Sequence, residues 1–274
     1  VSDAPTHPDL LRLARQHART SQLFGVDVMP LAPSHDRGSA DQVEAPALPE
    51  PQATPESRPT TPATPSEKAR PVSEESDKED ALEKLRKRYE AESSVAKSIE
   101  GWTNIVFSDG SPEAALMFIG EAPGADEDAS GVPFVGRAGQ KLNEMISAMK
   151  LDRAAEGSRG VYIANVLKVR PPNNRTPTPD EAMSDGTFLE EQIRIVSPKV
   201  IVTLGKPAAN YLLRSTESMG SMRGVWHDFE GIPVMPTYHP AYLLRAYTPE
   251  NRRRVWADLQ KAMMKLRELG AIDF

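Results

Sequence analysis

The chain has 274 residues and a formal net charge of −6, with 39% hydrophobic and 26% charged residues, 25 prolines and no cysteine. This balance excludes a globally basic nucleic-acid binder and a disulfide-stapled scaffold. No apolar run is long enough to cross a bilayer as a helix and no secretory signal pattern is present, so the expectation is a cytoplasmic protein without membrane contact. The acidity is uneven: residues 1–100 hold 13 basic and 18 acidic side chains, and residues 101–274 hold 20 and 21. Contacts to phosphate would therefore come from local clusters, such as Lys168, Arg170 and Arg175 or the Arg252-Arg253-Arg254 triplet, each of which is equally well a solvated face.

In chain order, residues 8–23 place Leu10, Leu11, Leu13, Ala14, Ala18 and Leu23 at the spacing of a short amphipathic helix, either a docking peptide for a partner or a marginal, frayed turn. Residues 31–80 are rich in proline, serine, threonine and glutamate and have little to bury against ordering entropy. The organisation expected is an N-terminal segment at 1–30, a disordered linker at 31–80 and one folded domain at 81–274. A charged helix from about 80 to 97 opens that domain. Strands follow at 114–120, 160–168, 199–205 and 232–238, alternating with helices at 137–150, 179–196, 206–214 and 249–268. Thr178-Pro179-Asp180-Glu181 supplies a cap, a first-turn proline and early acids for one of these helices. Such alternation predicts an α/β fold, a three-layer α/β/α sandwich around a mostly parallel four-stranded sheet.

Two strand ends carry chemistry. The apolar run Ala115-Leu116-Met117-Phe118-Ile119 passes into Gly120-Glu121-Ala122-Pro123-Gly124 and then Asp126-Glu127-Asp128. The second end reads Met235-Pro236-Thr237-Tyr238-His239-Pro240-Ala241-Tyr242-Leu243-Leu244-Arg245. Open α/β sheets hold ligands at the carboxyl ends of their strands, and glycine and proline there aim the side chains that follow. An acidic turn and a histidine turn on one sheet suit hydrolysis.

These two segments resemble the signature motifs of the uracil-DNA glycosylase superfamily. The blocks between them, Gly131-Val132-Pro133-Phe134-Val135-Gly136, Tyr162-Ile163-Ala164-Asn165-Val166-Leu167-Lys168, Pro171-Pro172-Asn173-Asn174-Arg175, Pro198 to Gly205 and Trp226-His227, are most similar to its family 4, the iron–sulfur type. The resemblance spans about residues 104–260. It implies flipping of deoxyuridine out of DNA and hydrolysis of its N-glycosidic bond, leaving an abasic site for base-excision repair and releasing free uracil.

The residues themselves leave Phe134 as a core aromatic or a stacking platform, and the resemblance makes it the platform for uracil. Asn165 sits in the apolar run 161–167, where a buried amide must use both its donor and its acceptor. Such an amide matches a pyrimidine O4 and N3–H, and the resemblance gives it that base-reading role. His239 is a structural histidine or the group that stabilises the uracil anion at O2. The resemblance also implies Leu243 as the wedge filling the vacated stack, although it could equally be core, and Arg245 as a contact to a flanking phosphate, alongside Arg175. Better-known relatives carry an aspartate where this chain has Ala122, which would lie against the substrate. Among Glu121, Asp126, Glu127 and Asp128, the resemblance favours Glu127 as the catalytic carboxylate, with Glu121 second, and a charged surface turn is the reading for at least one or two of the four.

Family 4 members hold a four-iron cluster on four cysteines. Aligned by eye, those positions fall near Ser93 and Ala96, at Val169, and at or beside Asp185. With no thiolate available, no iron–sulfur cluster or other metal is expected, and apolar packing is expected to replace the staple. The loop from Val169 to Arg175 lacks the histidine of the covalent uracil-capturing branch. Three other readings remain at this stage: a non-cleaving protein that binds uracil or abasic DNA, a glycosylase for a broader set of deaminated bases, and an interaction protein working through its tail.

Overall fold

A computed structural model describes residues 74–272. The helix expected at 8–23 and the linker expected from 31 lie outside the described residues, up to residue 73. The first described helix, α1 (Glu74–Glu92), begins inside the stretch assigned to the linker. Lys78 ties it down through Glu113 at 2.9 Å and the carbonyl of Val196 at 3.1 Å, long-range contacts that composition cannot reveal. The expected single helix to about residue 97 breaks at Ser93, whose hydroxyl accepts from Ala96 N–H and caps α2 (Ser94–Ser98).

Among the described residues, six strands form one sheet in the order β1-β3-β2-β4-β6-β5. They are β1 (Asp109–Gly110), β2 (Leu116–Gly120), β3 (Val161–Asn165), β4 (Val200–Leu204), β5 (His227–Phe229) and β6 (Ile232–Thr237). The four expected parallel strands are its centre, and β1 and β5 close the edges in antiparallel pairing. Those edges are two and three residues long, too short for hydrophobic alternation to mark them.

Both faces of the sheet are covered, as the β2 side chains show. Leu116 and Phe118 pack with Leu142, Met145 and Ile146 of α4 (Arg137–Ala148) and with Val255 and Leu259 of α9 (Pro249–Glu268). Met117 and Ile119 face the layer built by α1, α2, α5 (Pro179–Val196) and α6 (Lys206–Leu213). Three short helices complete the domain: α3 (Ala125–Ser130), α7 (Met219–Met222) and α8 (Pro240–Arg245).

Register decides where the site lies. Gly120 pairs with Asn165, Ile119 with Thr203, and Leu204 with Thr237, so the carboxyl ends of all four parallel strands are level. The chain leaves β2 toward the α4 face and leaves β4 toward the α6 face. That reversal opens a crevice between the two strand ends.

Asp258 of α9 pins the end of β6. It is 1% exposed and accepts from Thr237 Oγ1 at 2.7 Å and from Arg223 Nη2 at 2.6 Å. Removing one partner of a buried charge pair leaves the other uncompensated. Asp258→Ala should therefore lower unfolding free energy by about 3 kcal/mol in urea titration, and an unchanged midpoint would show the anchor to be dispensable.

Candidate active site

A cleft of about 620 Å³ opens at the level strand ends, within the range that takes a small ligand. Glu121, Ala122, Phe134, Asn165, His239 and Arg245, widely separated in the chain, all line it. Glu127 and Arg175 reach it as well.

Phe134 adopts a positive φ of 53° and is 5% exposed. Such a backbone costs a bulky residue about 1 kcal/mol or more and persists only where its surroundings hold it. Two side chains do so. Arg153 donates to the carbonyl of Phe134 at 2.7 Å and to that of Pro133, and is itself paired with Asp109. From the other side, Glu127 Oε1 accepts from the N–H groups of Val135 and Gly136, both at 2.9 Å. Gly139 completes the fit, because a Cβ there would stand 1.8 Å from the Phe134 oxygen. The ring so fixed lies 5.6 Å from the imidazole of His239, inclined by 30°.

Asn165 is the last residue of β3, at the strand end rather than within a longer strand, and is 1% exposed. Its Oδ1 is buried with no hydrogen-bond partner. An orphaned buried acceptor is costly, and in a cleft it points to a donor on a ligand. Gly120 makes room for it: a Cβ at that position would meet Asn165 Oδ1 at 2.2 Å and the Phe134 ring at 2.5 Å. The first motif glycine thus permits amide and platform to meet.

His239 caps α8 through its ring, Nδ1 accepting from Ala241 N–H at 3.1 Å. Burial pushes the imidazole down to about 4, and the nearby Arg245 pushes it the same way. A neutral ring whose Nδ1 is an acceptor carries its proton on Nε2. The histidine therefore offers a neutral N–H donor.

The four acids separate by geometry. Asp128 is 3% exposed and accepts from the N–H groups of Thr103 and Asn104, closing a loop. Asp126 is exposed and does not line the cleft. Glu127, favoured by the sequence, has both oxygens taken by main-chain donors, since Oε2 accepts from Gly124 N–H at 3.1 Å. It is a clasp that shapes the Phe134 turn. Glu121 is half-buried in the cleft, where burial raises its carboxyl above the usual range and Thr176 partly opposes the shift.

At the rim, three expectations change. Leu243 is 1% exposed inside the α4–α9 core cluster, because α8 turns that face inward. It cannot enter a base stack as it stands, whereas its neighbour Leu244 is partly exposed. Arg175 lines the cleft but is ion-paired to Glu181 at 2.6 Å, so a phosphate would compete with that carboxylate. Lys168 is fully buried and makes no surface cluster with Arg170. Arg245 is exposed at the cleft, as expected.

Lys206 and Arg153 are among the residues in and around the site that escaped the sequence reading. Lys206 lines the cleft at the start of α6, and its place directly after a strand-ending glycine was the available signal. Arg153 lies in an irregular loop and carried none.

A flat heterocycle would find in this cleft a ring to stack on and an edge to bond, at the place where open α/β sheets hold ligands; the class so defined is an α/β protein that binds a planar base. The chain belongs to the uracil DNA glycosylase superfamily, whose family model matches residues 107–260. It is 44% identical over 170 residues to a type-4 uracil-DNA glycosylase of Thermotoga maritima, covering 61% of this chain and 86% of that protein. A type-4 uracil-DNA glycosylase of Sulfurisphaera tokodaii is 41% identical over 203 residues, 70% of this chain and 86% of the relative. One from Archaeoglobus fulgidus is 40% identical over 167 residues, 58% and 80%.

The positions assigned to cluster ligands meet in space but do not suit a cluster. Ser93 Oγ donates to Asp185 Oδ1 at 2.8 Å and accepts from Ala96 N–H, while Val169 is buried beside them. One hydroxyl, one carboxylate and two aliphatic side chains supply no thiolate. Among the described residues, no group of histidine, cysteine, aspartate and glutamate is placed to hold a metal ion. Apolar packing is present there, with Ala96, Val169 and Phe188 in one buried cluster, and a buried polar network joins it.

Proposed function

We propose that the chain removes uracil from DNA by hydrolysing the N-glycosidic bond of an everted deoxyuridine, leaving an abasic site, and does so without an iron–sulfur cluster. The observation that carries this reading is the partnerless Oδ1 of Asn165, buried beside the Phe134 ring in the cleft. Uracil N3–H supplies the missing donor. Cytosine has a lone pair at N3 and would leave the acceptor unsatisfied.

Bond cleavage builds positive charge on the sugar and negative charge on the departing base. The Nε2–H of His239 is suited to stabilise the base anion at O2. A neutral donor does this without first having to bind a proton. Water adds its hydroxyl to C1′, and a proton reaches the released uracil. Glu121 is the carboxylate left free to orient that water and face the sugar cation. Arg245 and Lys206, at the rim, suit flanking phosphates.

An oligonucleotide carrying one deoxyuridine, incubated with the protein and then treated with alkali, should break at that position with release of free uracil. Retention of the oligonucleotide without breakage would favour the non-cleaving reading. Glu121→Gln should reduce the single-turnover rate about 10²-fold at unchanged Tm. Glu127→Gln should lower Tm as well, since an amide nitrogen cannot accept from Gly124 N–H. The opposite pattern would return the chemical role to Glu127.

A further inference from the structure

Resting on that reading, we infer that Lys168 and Asp185 are positioning residues for the base-reading Asn165, and that a buried Tyr89–Asp185–Ser93 hydrogen-bond clasp holds them where family 4 carries its cluster. Asp185, on α5, is 0% exposed; Oδ2 accepts from Tyr89 OH at 2.7 Å and Oδ1 from Ser93 Oγ at 2.8 Å. Both donors lie at the carboxyl-terminal end of α1 or just past it. The clasp therefore fixes the α1–α2 junction onto α5 with one carboxylate. Tyr89 adds apolar contact, its ring meeting Phe188 edge-on at 5.0 Å.

The same carboxylate faces the segment that leaves β3. Lys168 N–H approaches Asp185 Oδ2 at 3.5 Å. The lysine Nζ turns back along its own chain. It donates to the main-chain oxygen of Asn165 at 2.6 Å and to Gln192 Oε1, and lies 5.7 Å from the centre of the Phe107 ring. Gln192 is held in turn, donating to the carbonyl of Phe107 and the hydroxyl of Tyr162, each at 3.3 Å.

This arrangement surrounds the Asn165 main chain. On its other side Val166 N–H bonds to the oxygen of Gly120 at 3.0 Å and Leu167 N–H to that of Glu121 at 3.1 Å. Asn165 ends its strand, and Lys168 Nζ, from outside the sheet, is a partner of its carbonyl. The Nζ donor beneath that carbonyl fixes the plane from which the side-chain amide projects. Displacement of a reading group by about 1 Å can cost about 10²-fold in rate.

The test uses the full chain and four readouts: kcat on a deoxyuridine oligonucleotide, the inhibition constant of free uracil, affinity for an oligonucleotide with a tetrahydrofuran abasic analogue, and Tm. Lys168→Met should lower kcat and weaken uracil inhibition by about 10-fold each, while abasic-site affinity stays within about twofold. Abasic DNA has no base for Asn165 to read. Tyr89→Phe and Asp185→Asn, which keep the packing, should move kcat and uracil inhibition in the same direction by smaller factors, and they decide the matter if Lys168→Met does not fold. Variants that lower only Tm, or that lose abasic-site affinity in parallel with kcat, would overturn the positioning role. Iron and acid-labile sulfide analysis should find neither, and stoichiometric iron would overturn the replacement of the cluster. A wild-type chain that neither cleaves deoxyuridine nor binds uracil defeats the proposed function instead, before any variant is compared.

Discussion

Asn165→Ala should reduce uracil release by about 10²- to 10³-fold, equivalent to about 3–4 kcal/mol of transition-state stabilisation, while Tm stays level or rises. The two halves of this expectation have one cause. Oδ1 is buried without a partner in the free protein, so the folded state carries a desolvation cost that only the substrate relieves. Removing the amide removes that cost along with the function. A fall in Tm of several degrees would mean that Asn165 serves packing, and retention of activity would mean that the base edge is read elsewhere. Gly120→Ala provides a control from the opposite direction, because its Cβ would push against the same oxygen and the Phe134 ring.

His239→Ala should cost about 10²-fold in kcat, and the wild-type rate should show no histidine titration between about pH 5 and 8. The imidazole, held down to about 4 by burial and by Arg245, is neutral throughout that interval. If the active form were the cation, the rate would instead fall as pH rises through the histidine range, and such a limb, absent from the Ala variant, would refute the neutral-donor role. The same shift has a consequence for stability. The folded chain binds fewer protons than the unfolded chain between about pH 4 and 6.5, so the His239 contribution makes stability fall as pH drops through that window. In His239→Ala this part of the acid sensitivity should disappear.

The central sheet was legible because burial on both faces leaves long apolar runs, and β2 and β4 are buried from end to end, with Thr203 the polar residue of β4. Phe134, Asn165 and His239 were legible through the resemblance, since the residues by themselves left each a structural alternative; the structure brings all three to one cleft. The carboxylates were not legible. Glu121, Asp126, Glu127 and Asp128 lie within eight residues of one another and differ in what reaches them from residues 103, 104, 135, 136 and 176. Charge and spacing cannot rank them, because the ranking depends on main-chain donors contributed by other loops.

Leu243 and Leu244 teach the same lesson on a helix. One is core and the other partly exposed, and adjacent helical positions point about 100° apart. The orientation of α8 about its own axis separates them, and that orientation follows from packing against α4. Lys168 is the sharpest case. A lysine in a basic cluster reads as a surface charge, yet here it is buried among Asn165, Gln192 and Phe107.

Local sequence thus determined the strands, the bends at their ends and the residues that stand there, since hydrophobic runs and the stiff or permissive backbones of proline and glycine act over a few positions. Tertiary structure alone decided that main-chain donors clasp Glu127 and Asp128, that Leu243 is hidden and that Ser93 and Asp185 are bonded to each other. Those outcomes depend on hydrogen-bond partners and packing surfaces brought together from as many as about a hundred residues away, such as Tyr89 and Asp185, whose distances no local pattern encodes.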